Sequence, residues 1–213
     1  MQSAIFTMEE KNYRVQQAED GYRIIYNVRA TLRTPHKTIF KTPYREIADM
    51  VATDLNHMGP KSYTSGLSSL CHAYTADNIL TTPGMLEAVR TELSNVPYEN
   101  YAEFQRSQRG MPPARIWWDN VFFEPDRADK VRAWIKTLNP WQLASALTIF
   151  QSTGNMNLPY VFGHLVIDEG DEGFMEDLES LYGNFGDGLT SLDAVGINRL
   201  YDIFSTFYTA GRE

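Results

Sequence analysis

The chain has 213 residues, 43% hydrophobic and 22% charged, which is long and apolar enough for one sizeable core. Nothing approaches the roughly 18 consecutive apolar residues of a membrane span, and the opening MQSAIFTMEEKNYRV has neither the basic-then-apolar order of a secretory signal nor the Arg/Ser-rich character of a transit peptide. A net charge of −8 disfavours nucleic acid, and the single Cys71 excludes an intramolecular disulfide or a thiolate zinc cage and points to a reducing cytoplasm.

The first 45 residues read as strands. Tyr22, Ile24, Tyr26 and Val28 alternate with Arg23, Asn27 and Arg29, and Ile25 is the exception. A second extended stretch runs from Leu32 to Phe40; Pro35 inside it suits an edge strand or a bulge, and Pro43 closes it. From Tyr44 the period becomes helical, with Ile47, Met50, Val51 and Leu55 on one face and Gly59-Pro60 as the stop. A serine-rich stretch leads into a helix carrying Leu67, Leu70, Ala73 and Tyr74. Pro83-Gly84 separates it from another carrying Met85, Leu86, Val89 and Leu93.

Residues 105–115 form a Gly/Pro loop, followed by Trp117, Trp118, Phe122 and Phe123. Asp126 is placed to cap a helix with Ala128, Val131, Ile135 and Leu138. Asn139-Pro140 starts the next, with Leu143, Ala144, Leu147 and Phe150, and Gly154-Asn155 ends it. Leu158 to Ile167 is the most apolar run and is expected to be a helix. A last helix begins near Thr190 and Asp193, with Leu192, Val195, Leu200, Ile203, Phe204 and Phe207 on its apolar face. The expected fold is α+β: a small antiparallel β domain over residues 1–45, then an α-helical domain over residues 46–213.

Catalytic constellations are scarce. There is no phosphate-binding loop and no zinc-protease helix. His36, His57, His72 and His164 lack metal-like spacing and read as structural or surface residues. Cys71 and His72 are neighbours whose side chains diverge on a helix, so Cys71 is expected in the core. Gly183 to Gly188 reads G-x-x-G-x-G, but it follows a helix and is a poor dinucleotide fingerprint. Charge is unevenly spread: residues 1–45 carry +4, residues 46–213 carry −12, and no Lys or Arg lies between Lys136 and Arg199. Within that gap, Asp168 to Glu179 partly matches a calcium loop, with Asp168, Glu172 and Glu179 as weak ligand candidates and no ligand at Gly170.

Several blocks resemble the assembly chaperones of the F-type ATP synthase that hold the newly made alpha subunit. Ala18-Glu19-Asp20-Gly21-Tyr22, Arg29 and Leu32-Arg33-Thr34-Pro35-His36-Lys37 are similar to that family's hairpin and following motif, in which Arg33, Thr34, Pro35 and Lys37 are structural. Pro43 to Leu55, Leu86 to Leu93, Trp118-Asp119, Leu138 to Leu143 and the acidic pair Asp168-Glu169 follow in the family's order. The sequence departs from it at Val28, in place of a turn glycine, at Leu55, in place of a tryptophan, and over the C-terminal end, which lacks the closing pattern.

The resemblance implies a non-enzymatic protein that needs no cofactor and binds a protein client, the ATP synthase alpha subunit. Trp117, Trp118 and Phe122 would supply an apolar patch, with Asp168 and Glu169 on its rim. The alternative is a metal-binding protein or small-molecule enzyme using the acidic 168–179 segment.

Overall fold

The computed structural model describes residues 12–26, 30–58, 65–95, 127–153, 157–167 and 194–210. The architecture is α+β, as expected: an antiparallel sheet of four strands precedes the helices. β1 (Tyr13–Ala18) and β2 (Gly21–Tyr26) form a hairpin whose register runs from Tyr13 opposite Tyr26 to Ala18 opposite Gly21. The Glu19-Asp20 turn is braced by an ion pair from Lys41 to Asp20. Gly21 has φ +129°, and a Cβ built there lies 2.6 Å from the Thr42 carbonyl oxygen; only glycine tolerates both the angle and the approach. β3 (Ala30–Thr31) and β4 (Lys41–Thr42) both pair with the far side of β2, so among the described residues β1 is an edge strand.

The extended stretch from Leu32 to Phe40 is a second hairpin. Arg33 and Ile39 bridge across it, and Leu32 and Phe40 turn into the core. Pro35 is therefore not in an edge strand or a bulge. It occupies the turn Thr34-Pro35-His36-Lys37, closed by the Lys37 N–H donating to the Thr34 carbonyl at 2.8 Å, where the fixed φ of proline suits the second position.

Helices follow in chain order: α1 (Arg45–Met58), α2 (Ser69–Thr81), α3 (Met85–Ser94), α4 (Arg127–Thr137), α5 (Pro140–Thr153), α6 (Asn157–Ile167) and α7 (Ala194–Thr209). α1 buries Ile47, Val51 and Leu55 beneath the sheet and leaves its opposite face to water. The start of α5 is a capping box. Asn139 Oδ1 accepts from the N–H groups of Trp141 and Gln142, while Gln142 Oε1 accepts from the Asn139 N–H. From Trp141 to Ile149 every residue of α5 is buried, because α2, α3, α6 and α7 pack around it. α3 and α4 cap each other: Arg90 donates to the Leu138 carbonyl just past the end of α4, and Arg132 donates to the Ser94 carbonyl at the end of α3.

Leu158 to Ile167 is helical, as its context implied. In α7, Leu200, Ile203, Phe204 and Phe207 are fully buried. Val195 was expected with them but is 74% exposed. It lies on the face of α7 that carries the exposed Asn198 and Asp202, while Ile197 in the same turn is buried with Leu200 and Phe204. Sheet and helices share a continuous apolar core from Tyr13 and Ile24 to Phe207 and Tyr208. Among the described residues no helix is long and apolar enough to cross a membrane.

Candidate functional site

The residues singled out for partner binding, Trp117, Trp118, Phe122, Asp168 and Glu169, lie outside the described residues, as do the metal candidates Glu172 and Glu179 and the glycine-rich run Gly183 to Gly188. Val28 is also outside them. Among the described residues no three His, Cys, Asp or Glu side chains gather as a metal ion would require.

The motif Arg33, Thr34, Pro35 and Lys37 is a self-bonded loop tip. Arg33 Nη1 donates to the Lys37 carbonyl at 2.6 Å, and the Thr34 and Thr38 hydroxyls lie 2.6 Å apart. Lys37 takes φ +65°, and the Tyr74 hydroxyl of α2 donates to the Arg33 carbonyl at 2.7 Å. These contacts hold the second hairpin against α2 and engage the Arg33 and Thr34 side chains in structure.

A buried polar network joins four helices in the core. Asp54 of α1, 6% exposed, accepts from the N–H and hydroxyl of Ser69 at the start of α2 and from Arg199 of α7. One turn along α2, His72 is fully buried. Its Nε2 faces the Gly66 carbonyl at 2.9 Å, and its Nδ1 faces the Ser145 hydroxyl of α5 at 2.9 Å. A carbonyl only accepts, so Nε2 carries the proton and Nδ1 accepts from Ser145. Gly66 approaches α5 so closely that a Cβ there would lie 1.8 Å from Ser152 Oγ. Burial is the main cause that lowers the His72 pKa to about 4; Arg199 lowers it further, against the Gly66 bond and the Asp54 charge.

A serine beside an imidazole beside a carboxylate suggests nucleophilic catalysis, but this geometry does not assemble it. The Asp54 oxygens are taken by Ser69 and Arg199, while His72 spends its N–H on a backbone carbonyl. Ser145 has no exposed surface. This network fixes the rotation of the helices. The spacing of the sequence agrees with a structural His72 but does not reveal its partner Ser145, 73 residues away, nor the Asp54–Arg199 pair beside it, 145 residues apart. Cys71, expected in the core, is half-buried, and burial raises its thiol pKa. His36 and His57 are exposed, and the ring of His57 meets the Thr53 carbonyl at 2.8 Å.

A groove of about 580 Å³ lies between the hairpin and α1. Its walls are Tyr13, Val15, Gln17 and Tyr22 on the sheet side and Arg45, Asp49, Thr53 and Asn56 on the helix side, with Arg14 at the rim. The helix residues fall on one stripe at three- and four-residue spacing. At one end Asn56 clasps the edge strand: the Tyr13 N–H donates to Asn56 Oδ1 at 2.8 Å, and Asn56 Nδ2 donates to the Tyr13 carbonyl at 3.0 Å. The side chain thus fills the place of a neighbouring strand for one residue of β1.

No family model matches the sequence, and no curated protein matches it. Solved structures do. Atp12 from Paracoccus denitrificans aligns over 92% of this chain and 93% of its own, at 17% identity and a TM-score of 0.50. The chain has the fold of Atp12. An Asp-to-Lys mutant of P. denitrificans Atp12p gives the same score and identity over 92% and 94% of the two chains. The Atu1473 protein of Agrobacterium tumefaciens, a proposed chaperone, aligns over 94% and 83% at 17% identity and a TM-score of 0.54.

Proposed function

We propose that this protein is a divergent assembly chaperone of the Atp12 kind, a cytoplasmic, non-enzymatic protein that holds an unassembled subunit, with the ATP synthase alpha subunit as its client. The observation that carries the reading is a shared fold along more than nine-tenths of the chain with Atp12, beside the sequence blocks from Ala18 to Glu169 that resemble the same family. An unassembled subunit exposes an apolar interface, and a protein that shields it needs apolar anchors with a polar rim and no bond-making machinery.

Trp117, Trp118 and Phe122 are the proposed anchors, and Asp168 and Glu169 the proposed rim charges that meet basic client residues. The division into a strand unit, residues 1–45, and a helical unit, 46–213, is part of the same proposal, with the helical unit carrying all five contacts. No cofactor is required.

The test is light scattering of the purified alpha subunit from the same host during refolding, with and without this chain. Scattering should fall as the chain approaches equimolar. The Asp168→Lys, Glu169→Lys double variant, with an unchanged melting temperature, should protect markedly less. Aggregation of the alpha subunit that is indifferent to the chain would overturn the proposal.

A further inference from the structure

We propose that the free edge of β1 accepts an extended, acidic segment of the partner protein as an added strand, seated in the groove against α1. The inference deepens the chaperone reading and rests on it for the existence of a protein partner.

The backbone supplies the first argument. In an antiparallel pair, residues alternate between those that bond their partner strand and those whose N–H and C=O face away. Two independent contacts set the phase in β1. Both backbone groups of Tyr13 are taken by Asn56, on the side away from β2. The carbonyl of Ile24, opposite Val15, accepts from the Leu32 N–H on the other side of β2, so Val15 and Ile24 do not bond each other. By the same alternation the N–H and C=O groups of Val15 and Gln17 point outward, into the groove. Among the described residues no strand covers that edge. Asn56 shows the groove accommodating a donor and an acceptor in strand-like geometry and sets one end of the open stretch; the Glu19-Asp20 turn sets the other. Four backbone groups in a row remain for a short strand.

Charge supplies the second. The chain is acidic as a whole, yet its first 45 residues carry +4, and the groove is flanked by two arginines, Arg14 and Arg45, against one carboxylate, Asp49. Arg45 and Asp49 are both more than half exposed, at 3.3 Å from each other, so the arginine can exchange that contact for a ligand carboxylate. Arg14, whose Nε donates to the exposed Asn12 side chain at 3.2 Å, is likewise exposed, so a strand with acidic side chains meets a net positive lining and a basic one is repelled by it.

The experiment follows amide hydrogen exchange and chemical shifts in the ¹⁵N-labelled full chain, using a capped octapeptide of alternating Val and Glu as probe and its Val–Lys counterpart as control. In the free chain the amides of Val15 and Gln17 should exchange fast. The Val–Glu peptide should slow them by roughly tenfold or more, while the Val–Lys peptide binds at least about tenfold more weakly. Gln17→Pro removes one outward N–H at an edge position that tolerates proline, and should abolish binding while the helix resonances stay in place. Should that variant disturb the hairpin, Arg14→Glu with Arg45→Glu keeps the backbone and should reverse the preference between the two peptides.

Val15 and Gln17 amides already protected in the free monomer would overturn the proposal, as would a dimer that disappears in Gln17→Pro. So would a Val–Glu peptide that leaves β1 unmoved at about 1 mM. Equal capture of the alpha subunit by wild type and Gln17→Pro would refute the edge and leave the chaperone reading standing. Peptide binding at β1 without alpha-subunit capture would support the edge and refute that client.

Discussion

Acid should destabilise this protein through His72 in a way that one substitution removes. The imidazole is fully buried, with its N–H on the Gly66 carbonyl and its lone pair facing Ser145, so the folded state holds it neutral and its pKa is about 4 against 6.5 for a free histidine. Above pH 6.5 both folded and unfolded chains carry a neutral ring, and the group adds no pH dependence. As pH falls below 6.5 the unfolded chain takes up the proton and the folded chain does not. Stability drops by about 1.4 kcal/mol per pH unit and levels off near pH 4, for a total of about 3 kcal/mol.

His72→Gln removes the titration and keeps a side chain of similar reach with an amide donor for Gly66. At about pH 7.5 it should cost about 1–3 kcal/mol, from the altered Ser145 bond and the lost packing of the ring on Phe207. The carboxylates titrate alike in both proteins, so the stability difference between them isolates the histidine. Urea unfolding followed by circular dichroism, from about pH 7.5 down to about pH 4, should show the gap narrowing by about 3 kcal/mol. Two curves that stay parallel across that range would show that His72 gains its proton without opening the core, and the reasoning from burial would fail.

Two further predictions concern packing and backbone. Phe207 is fully buried, with ring contacts to His72 at 5.6 Å and Trp141 at 6.1 Å, and Phe207→Ala should cost about 3–5 kcal/mol in the same denaturant assay. Gly21→Ala places a methyl group 2.6 Å from the Thr42 carbonyl oxygen at φ +129°, and should cost about 1–3 kcal/mol. Its signature is local: hydrogen exchange should rise in β1 and β2 well before it rises in α5.

Local signals in this sequence were strong and led to the right elements. Asn139-Pro140 reads as a helix start because an amide acceptor precedes a residue with no N–H to satisfy, and the capping box with Gln142 completes it. The period of Ile47, Val51 and Leu55 is the face that α1 buries. Pro35 was the ambiguous case, because Thr-Pro suits both an interrupted strand and a turn. The decision came from the Lys37-to-Thr34 bond and the Arg33–Ile39 bridge, which depend on how the two arms meet. Val195 is apolar by type but stands three and seven residues before the exposed Asn198 and Asp202, so helical spacing puts it on their face and not on that of Leu200 and Phe204.

The polar centre was not legible, for a physical reason that also bears on function. Asp54 sits among Val51, Ala52 and Leu55 like any interruption of an apolar face, and its partners Ser69 and Arg199 are 15 and 145 positions away. Helical spacing cannot pair such residues; only the packing of α1, α2 and α7 brings them together. Once paired, the carboxylate cannot leave: withdrawing it would strand a buried charge and the donors it satisfies. That fixes the rotation of α1 about its own axis. The same rotation aims Arg45, Asp49, Thr53 and Asn56 at the hairpin, so the inner face of the helix sets the outer face that meets the edge of β1. A groove whose wall is held from behind by a buried ion pair is already arranged before a partner arrives, and it binds with less ordering cost than one that must be built on contact.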